Sequence, residues 1–534
     1  MSEDTRAKAS ETTEEAICFN PVDGTVRSRH PWMRPETVDR AFRSAREAQS
    51  YWARLSVKER CRRIRPLSAW LSRECESLAA TISGCNGKPL QDAIATEVLP
   101  AALATAYYTR KAPRWLRPER VPASHPAYWS KYTRIHRFPH GLVGIITPWN
   151  YPLGIPLHEI VSALVCGNGV VFKTAPETIP VGEALSRGLA SLDIPDGLFQ
   201  HLIMPGPAAG ERFLASPGGV DKLCFTGSVP VGRLLAREAG HRLIPISAEL
   251  GGKDPMIVCN DAPMDRAVNG ALWGSLQNVG QACAGIERIY VEADLHDAFL
   301  NALAEKLQSI RMGAPDAPDV ELGPMTTAQQ RDKVQAQLDA AVADGAKIVA
   351  QCPIPDSLPE GGFWFPATLV SDVRDGMALM RDENFGPIIA VQKIQDLEEG
   401  IRLANQGPYA LTASVWTRRR AHGRRIAEQL RAGSVTVNDH LMSHGMPEIT
   451  WGGPGDSGLG RTHGKTGLLS MTREQNIVDE RLPWLPRNPW WFPYSAKDRA
   501  GLSGILSAFH GQGMGQRLKG LGHFIQLIPG LFRR

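Results

Sequence analysis

Leu142-Val143-Gly144-Ile145-Ile146 runs into Thr147-Pro148-Trp149-Asn150, and further on Gly169-Val170-Val171-Phe172 ends in Lys173. Each is a short apolar run closed by polar residues, the pattern of a buried strand. The segment between them, Ile155 to Val165, has the length of a helix. Strand, helix, strand at this spacing is a βαβ unit, which predicts a parallel sheet and an α/β fold. Lys222-Leu223-Cys224-Phe225 repeats the strand pattern, followed by the glycine turn Thr226-Gly227-Ser228 and a helix start at Val231 to Leu235. Upstream, Val38 to Trp70 carries apolar residues near helical spacing among many charges, which predicts amphipathic helices on the surface.

At 534 residues the chain is long enough for two or three domains. With 43% hydrophobic and 22% charged residues it has the composition of a globular protein that buries a core. The nine cysteines form no CxxC pair and no Cys/His cluster with zinc spacing, so no metal is expected and a reducing, cytoplasmic compartment is. Met1 to Lys8 has neither the basic start nor the apolar stretch of a secretory signal, and residues 1–16 are expected to be a disordered lead-in. The net charge of +5 is carried by 497–534, with six basic residues against Asp498. A neutral remainder argues against nucleic acid as a partner and points to a local basic tail.

Cys283 lies in Gly280-Gln281-Ala282-Cys283-Ala284-Gly285, after Glu249-Leu250-Gly251-Gly252-Lys253 and Pro148-Trp149-Asn150-Tyr151-Pro152. A thiol, a carboxylate and a side-chain amide, each framed by glycine or proline, are the parts needed to oxidise an aldehyde through a covalent thioester. Singly, each has an ordinary reading: a packed core thiol, a solvated carboxylate, a turn asparagine. Together with Phe172-Lys173, Phe225-Thr226-Gly227-Ser228, Glu383-Asn384-Phe385-Gly386-Pro387 and Trp451-Gly452-Gly453, they occur in an order that resembles the aldehyde dehydrogenase superfamily, from about Asn20 to about Val478.

The resemblance implies a Rossmann-type cofactor domain (17–126 and 140–250), an α/β catalytic domain (251–473) and a small β oligomerisation arm (127–139 and 474–482) that pairs subunits into a dimer or tetramer. It implies that Cys283 is the nucleophile, that Asn150 and the Cys283 N–H stabilise the oxyanion, and that Glu249 activates water against the thioester. It also implies NAD or NADP as cofactor, contacted by Thr147, Trp149, Lys173, Gly227, Ser228, Gly232, Leu250, Glu383 and Phe385. In many NAD-preferring relatives a Glu stands three residues after the lysine; here that place is Pro176, with Glu177 one later, so NADP stays open. By the same resemblance Gly154, Ile155, His158, Ala282 and Ala284 line the substrate passage. No arginine stands among them, which points to an uncharged, apolar aldehyde. Non-redox esterase or thioesterase use of the same thiol, or a catalytically silent scaffold, are the competing readings.

Past Val478 the chain departs from that pattern. Residues 483–534 begin as an aromatic linker, with Trp484, Trp490, Trp491, Phe492 and Tyr494 broken by four prolines, which no single helix accommodates. Leu502, Ile505, Leu506 and Phe509, then Met514, Leu518, Leu521, Ile525 and Ile528, recur at helical steps beside Arg517 and Lys519. This reads as a basic amphipathic helix, either lying peripherally on an anionic membrane surface or folded back on the enzyme or a second subunit, with its glycines weakening the helix.

Overall fold

The computed structural model describes residues 14–528 and 531. They divide into two compact units, one running up to Leu116 and over Pro139–Arg473, the other made of Arg117–Phe138 and the chain from Glu474 onward.

In the first unit, strands Leu142–Ile146 and Gly169–Lys173 are parallel and in register, with Leu142 opposite Gly169 and Ile146 opposite Lys173. Every residue of both is buried, as expected of parallel strands covered on both faces. Helix Gly154–Cys166 connects them; it is buried along its whole length and ends on Gly167 in the left-handed region, φ +96°. The six-stranded sheet runs Phe199–His201, Gly169–Lys173, Leu142–Ile146, Lys222–Thr226, Ile246–Glu249, Gly458–Leu459. The chain therefore builds outward from Leu142–Ile146 first to one side and then to the other. Such a reversal opens a ligand crevice at the carboxyl ends of the two central strands, here Thr147-Pro148 and Thr226-Gly227.

A seven-stranded sheet holds Lys347–Gln351, Thr368–Ser371, Ile388–Ile394, Ile286–Glu292, Asp254–Val258, Thr412–Trp416 and Ser434–Val437, in that spatial order. Only its edge strand Lys347–Gln351 pairs antiparallel. The two-residue strand Gly458–Leu459 returns to the first sheet and pairs with Glu249 and Ala248, so the segments 140–250 and 251–473 share an edge. The amphipathic stretch upstream is three helices, Pro35–Trp52, Val57–Ile64 and Pro66–Arg73, which bury Phe42, Trp52, Ile64 and Leu67 against this unit.

The second unit contains a three-stranded sheet in the order Thr472–Glu480, Lys131–Pro139, Glu119–Val121. Arg137 pairs with Glu474 at 2.7 Å, and Lys131 with Glu480. The linker 481–495 has no helix or strand, in keeping with its prolines.

Two expectations need correction. Of the lead-in set at 1–16, residues 1–13 lie outside the described residues, while Glu15 and Ala16 already belong to strand Glu15–Phe19, paired with Val26–Pro31. The tail is two helices, Ala496–His510 and Met514–Ile525, because Gly511 and Gly513 interrupt it. The first is capped by Ser495 and Asp498 in a capping box, and Asp498 also pairs with buried Arg487 at 3.1 Å. Of the glycines expected to weaken a lone helix, Gly501, Gly504 and Gly520 instead permit close packing. A Cβ on Gly504 would lie 2.7 Å from the Gly520 carbonyl oxygen, and one on Gly520 would lie 2.4 Å from the Ala508 nitrogen.

Candidate active site

Helix Met264–Leu276 leads into the loop that carries Cys283. Asn278, Val279 and Gly280 follow it with φ of 54°, 57° and 68°. Left-handed backbone at a β-branched residue costs on the order of 1–3 kcal/mol, so this bend persists only where its surroundings over-determine it. They do. The Asn278 N–H donates to Asp92 (3.1 Å), the Asn278 amide donates to the carbonyls of Asn150 and Gln281 (3.0 Å each), and Gln281 accepts from the Thr326 N–H (3.0 Å). Gly252 is required for a different reason: a Cβ there would lie 2.1 Å from the Cys283 carbonyl oxygen. Cys283 itself is half-buried. Burial raises its thiol pKa, and the nearby Asp254, Glu383 and Glu249 raise it further, so the resting sulfur holds its proton.

Asn150 is buried, and its side-chain nitrogen donates to the Gln281 carbonyl at 3.1 Å, which ties it to the loop of the thiol. Its own carbonyl accepts from Lys88 (2.8 Å), Asn86 (3.2 Å) and Asn278 (3.0 Å). Lys88 pairs with Glu97 at 2.7 Å, both side chains fully buried, and the second Glu97 oxygen accepts the N–H groups of Leu153 and Gly154 (2.7 and 3.1 Å). This buried network sets the course of the Asn150 loop. Sequence reasoning passed over Asn86, Lys88 and Glu97; the only local signal is a lysine held between Gly87 and Pro89.

Glu249 ends strand Ile246–Glu249 and is buried. One carboxylate oxygen accepts from the Thr462 hydroxyl at 3.5 Å, and the other has no hydrogen-bond partner among the described residues. Burial, and next the neighbouring Glu159, raise its pKa well above the ordinary carboxylate value. Glu159 is pushed up in turn to about 8 by burial.

Three cavities meet at Cys283. One is shared with Asn150, Trp149, Gly227, Ser228, Leu250, Glu383 and Phe385. A small one is shared with Glu249, Ile155, Trp451 and Thr462. The third, apolar, is shared with Tyr151, Ala282 and Ala284. The first is lined at Pro148, Thr226, Gly227 and Ser228 by residues that also line a larger cavity of about 630 Å³, which holds Thr147, Lys173 and Arg242. Helix Val229–His241 begins at this junction, with Ser228 at its N-cap position making no side-chain capping bond, and its free first-turn N–H groups suit a pyrophosphate. The hydroxyls of Thr147 and Thr226 are buried there without a hydrogen-bond partner among the described residues, as expected of groups that await a ligand. The donors and the shape fit a dinucleotide.

Glu383 accepts from the Gly252 N–H at 2.9 Å, and burial, with Glu287 beside it, pushes its pKa up to about 7. Phe385 has φ +56° and meets Trp149 edge-on, ring centres 5.6 Å apart. Their loop hangs from the Glu287 carboxylate, which accepts the N–H groups of Asn384 (3.0 Å) and Phe385 (2.9 Å) while paired to Lys253 (2.7 Å). Gly232 lines none of these cavities; its missing Cβ makes room for Leu250, which would lie 2.3 Å from it. The Glu177 carboxylate is likewise absent from the lining of the larger cavity.

The apolar cavity, about 270 Å³, contains only part of the set expected to line the substrate passage. Ala282 and Ala284 line it, whereas Gly154, Ile155 and His158 do not. Gly154 is committed to Glu97, and His158 stacks on His463 (3.8 Å between ring centres) in a buried group with His444. The wall is instead Leu99, Pro100, Leu103, Tyr151, Trp273, Leu441, Met442 and Met446, with no Asp, Glu, Lys or Arg side chain. Leu99, Leu103, Trp273 and Met442 are each about half exposed. Apolar residues at solvent give the cavity a mouth whose chemistry suits an apolar ligand. These residues come from helices distant in sequence, so no local motif announces them. Among the described residues, no group of three or more His, Cys, Asp or Glu side chains could hold a metal ion.

Comparison with known proteins places the site in context. The family model described as "Aldehyde dehydrogenase family" matches residues 8–477. A 4,4'-diapolycopene aldehyde oxidase from Methylomonas is 37% identical over 94% of this chain and 92% of its own length. A putative NADP(+) succinate-semialdehyde dehydrogenase from Mycobacterium ulcerans is 34% identical over 90% of each chain. Among solved structures, a putative aldehyde dehydrogenase from Burkholderia cenocepacia superimposes with a TM-score of 0.84 at 32% identity, covering 88% of this chain and 97% of its own. The betaine aldehyde dehydrogenase of Staphylococcus aureus in complex with NAD+ gives 0.84 at 28% identity, covering 91% and 95%.

Proposed function

The chain belongs to the aldehyde dehydrogenase family, and from that premise we propose that it oxidises an apolar aldehyde to the carboxylic acid with NAD or NADP, using Cys283 as nucleophile. The observation that carries this reading is the meeting of three cavities at one sulfur: the dinucleotide side with Asn150, the carboxylate side with Glu249, and the apolar passage. Bound NAD or NADP supplies the hydride acceptor. Thr147, Lys173, Thr226, Gly227 and Ser228 are placed to hold its phosphate and adenosine half, and Trp149, Leu250, Glu383 and Phe385 its other half. The segments 17–126 with 140–250 form the cofactor domain in this reading, and 251–473 the catalytic one.

Cys283 loses its proton and adds to the aldehyde carbon. The Asn150 amide and the Cys283 N–H then receive the developing oxyanion, a contribution of roughly 3–4 kcal/mol per donor in comparable sites. After hydride loss, Glu249 takes a proton from the water that attacks the thioester, and the acid leaves. The resting thiol is protonated, so a base must act before addition. Glu249 shares the small cavity with Cys283 and has a free oxygen, and we assign it this role.

An apolar substrate is supported by a passage without charge and by the name of the Methylomonas relative, an aldehyde oxidase of 4,4'-diapolycopene. Oligomerisation through the arm is supported by the exposure of Thr472–Glu480 at the edge of its sheet, where Ile477 and Val478 face solvent. We also place the enzyme at an anionic lipid surface, the compartment that concentrates apolar aldehydes. Among the described residues no helix is long and apolar enough to cross a membrane.

The test follows formation of reduced nicotinamide over a series of aliphatic aldehydes of rising chain length, with each cofactor, for the parent and Cys283→Ala. Turnover is expected to favour the longer chains and to vanish in Cys283→Ala, while binding of cofactor persists. Turnover retained in Cys283→Ala overturns the reading.

A further inference from the structure

We propose that the C-terminal helical hairpin, Ala496–His510 and Met514–Ile525, is a monotopic anchor that seats its outer apolar faces in the headgroup and acyl boundary of an anionic bilayer. This rests on the lipid-surface reading above and names the element responsible. In a hairpin built for water, large apolar side chains fill the seam and small or polar ones face out. Here the arrangement is reversed. Gly501, Gly504 and Gly520 are buried. A Cβ on Gly501 would lie 2.3 Å from Leu527, and those on Gly504 and Gly520 would strike the backbone of the opposite helix.

Leu527 apart, most of the large residues are left outside. Met514, Leu518, Leu521, Ile525 and Ile528, spaced four, three, four and three residues apart, form one stripe, and they are 78%, 64%, 46%, 56% and 48% exposed. On the first helix Leu506 is 65% exposed. Close approach through small residues with large apolar ones outward is the packing of helices whose surroundings are lipid.

Charge selects the kind of lipid. Over residues 481–528 the single acid is Asp498, buried and paired with Arg487, while Lys497, Arg499, Arg517 and Lys519 are exposed. The charged residues on the exposed surface of the hairpin are thus all positive, complementary to anionic headgroups. Helices of 15 and 12 residues rise roughly 22 and 18 Å, short of the roughly 30 Å of hydrocarbon. The hairpin therefore lies in one leaflet's interface and does not span.

The test uses the full-length protein with sedimented vesicles of phosphatidylcholine containing phosphatidylglycerol, or of phosphatidylcholine alone. It compares the parent with Leu518→Gln/Leu521→Gln/Ile525→Gln, whose altered side chains are exposed, and uses turnover of a short soluble aldehyde to report folding. The parent is expected to pellet with the anionic vesicles and less with neutral ones, and the triple variant to lose about tenfold or more in partition with soluble turnover unchanged. A parent that stays in the supernatant overturns both the lipid-surface reading and the anchor. A parent that binds equally well with the triple substitution overturns the anchor alone. A variant whose only change is a smaller oligomer by sedimentation velocity makes the stripe a subunit contact and overturns the proposal.

Discussion

The ammonium group of Lys88 donates to the main-chain carbonyl of Asn150 at 2.8 Å and, on its other side, pairs with Glu97 at 2.7 Å. A fully buried ion pair thus acts as a spacer between the helix carrying Glu97 and the loop carrying Asn150, the proposed oxyanion donor. Lys88→Met leaves the buried Glu97 carboxylate without its counter-charge, a loss of about 3–5 kcal/mol. The expected outcome is a lowered urea midpoint with reduced kcat. Adding Glu97→Gln removes the orphan charge and restores most of the midpoint, but not kcat, since the Asn150 carbonyl still lacks its donor.

Asn150→Ala removes one of the two proposed oxyanion donors and leaves the thiol in place. We expect kcat to fall by about a hundred- to a thousandfold with KM little changed, the pattern of an interaction made mainly in the transition state. Steady-state rates, with alkylation of Cys283 as a check on the loop, measure it. An unchanged kcat assigns the oxyanion to other donors.

In its proposed role Glu249 acts as a base only once ionised, and burial together with Glu159 raises its pKa. The rising limb of the kcat profile is therefore expected on the alkaline side of an ordinary carboxylate. Glu159→Gln removes a neighbouring negative charge and should move that limb to lower pH. Glu249→Gln should give a burst of reduced cofactor and then stall as acyl-enzyme accumulates, read by stopped-flow absorbance and intact mass.

The buried imidazoles govern acid stability. Burial holds His158 near 3 and His444 near 4, and His463 lies well below the ordinary 6.5. Folded-state values depressed below the unfolded one mean that unfolding takes up protons below pH 6.5. Their contribution is complete above that pH and is lost as the pH falls toward 4, by up to about 1.4 kcal/mol per pH unit for each histidine. Thermal midpoints should drop steeply across this window, and His463→Gln should flatten the drop.

Leu103→Arg places a charge at the half-exposed mouth of the apolar passage. KM for long-chain aldehydes is expected to rise about tenfold or more, with acetaldehyde kinetics unchanged. Equal effects on both would place the entrance elsewhere.

Much of this was legible along the chain because it is local. Leu142–Ile146, Gly169–Lys173 and the helix between them follow from runs of apolar residues that only a doubly covered parallel strand or a fully buried helix tolerates. The glycines at 252 and 280 mark places where another backbone passes within a side chain's reach. The misreadings have a common cause. Gly154, Ile155 and His158 follow Asn150 directly, but helix geometry turns them toward Glu97, the small cavity of Glu249 and the imidazole group, away from the passage. The tail glycines counted against a lone helix, although Gly501, Gly504 and Gly520 are required once a second helix lies on them.

By itself the sequence determined which chemical groups this protein owns, in what order, and which segments must be strand or helix, because hydrophobic period and turn chemistry act between neighbours a few residues apart. Only the tertiary structure decided that Lys88 reaches Asn150, that Glu159 burdens Glu249, that Leu103 and Met442 form one mouth, and that the tail turns its large side chains outward. Each of these is an approach between residues far apart in the chain. Burial, closed contact and the field of a neighbouring charge depend on distance through space, which no local pattern encodes.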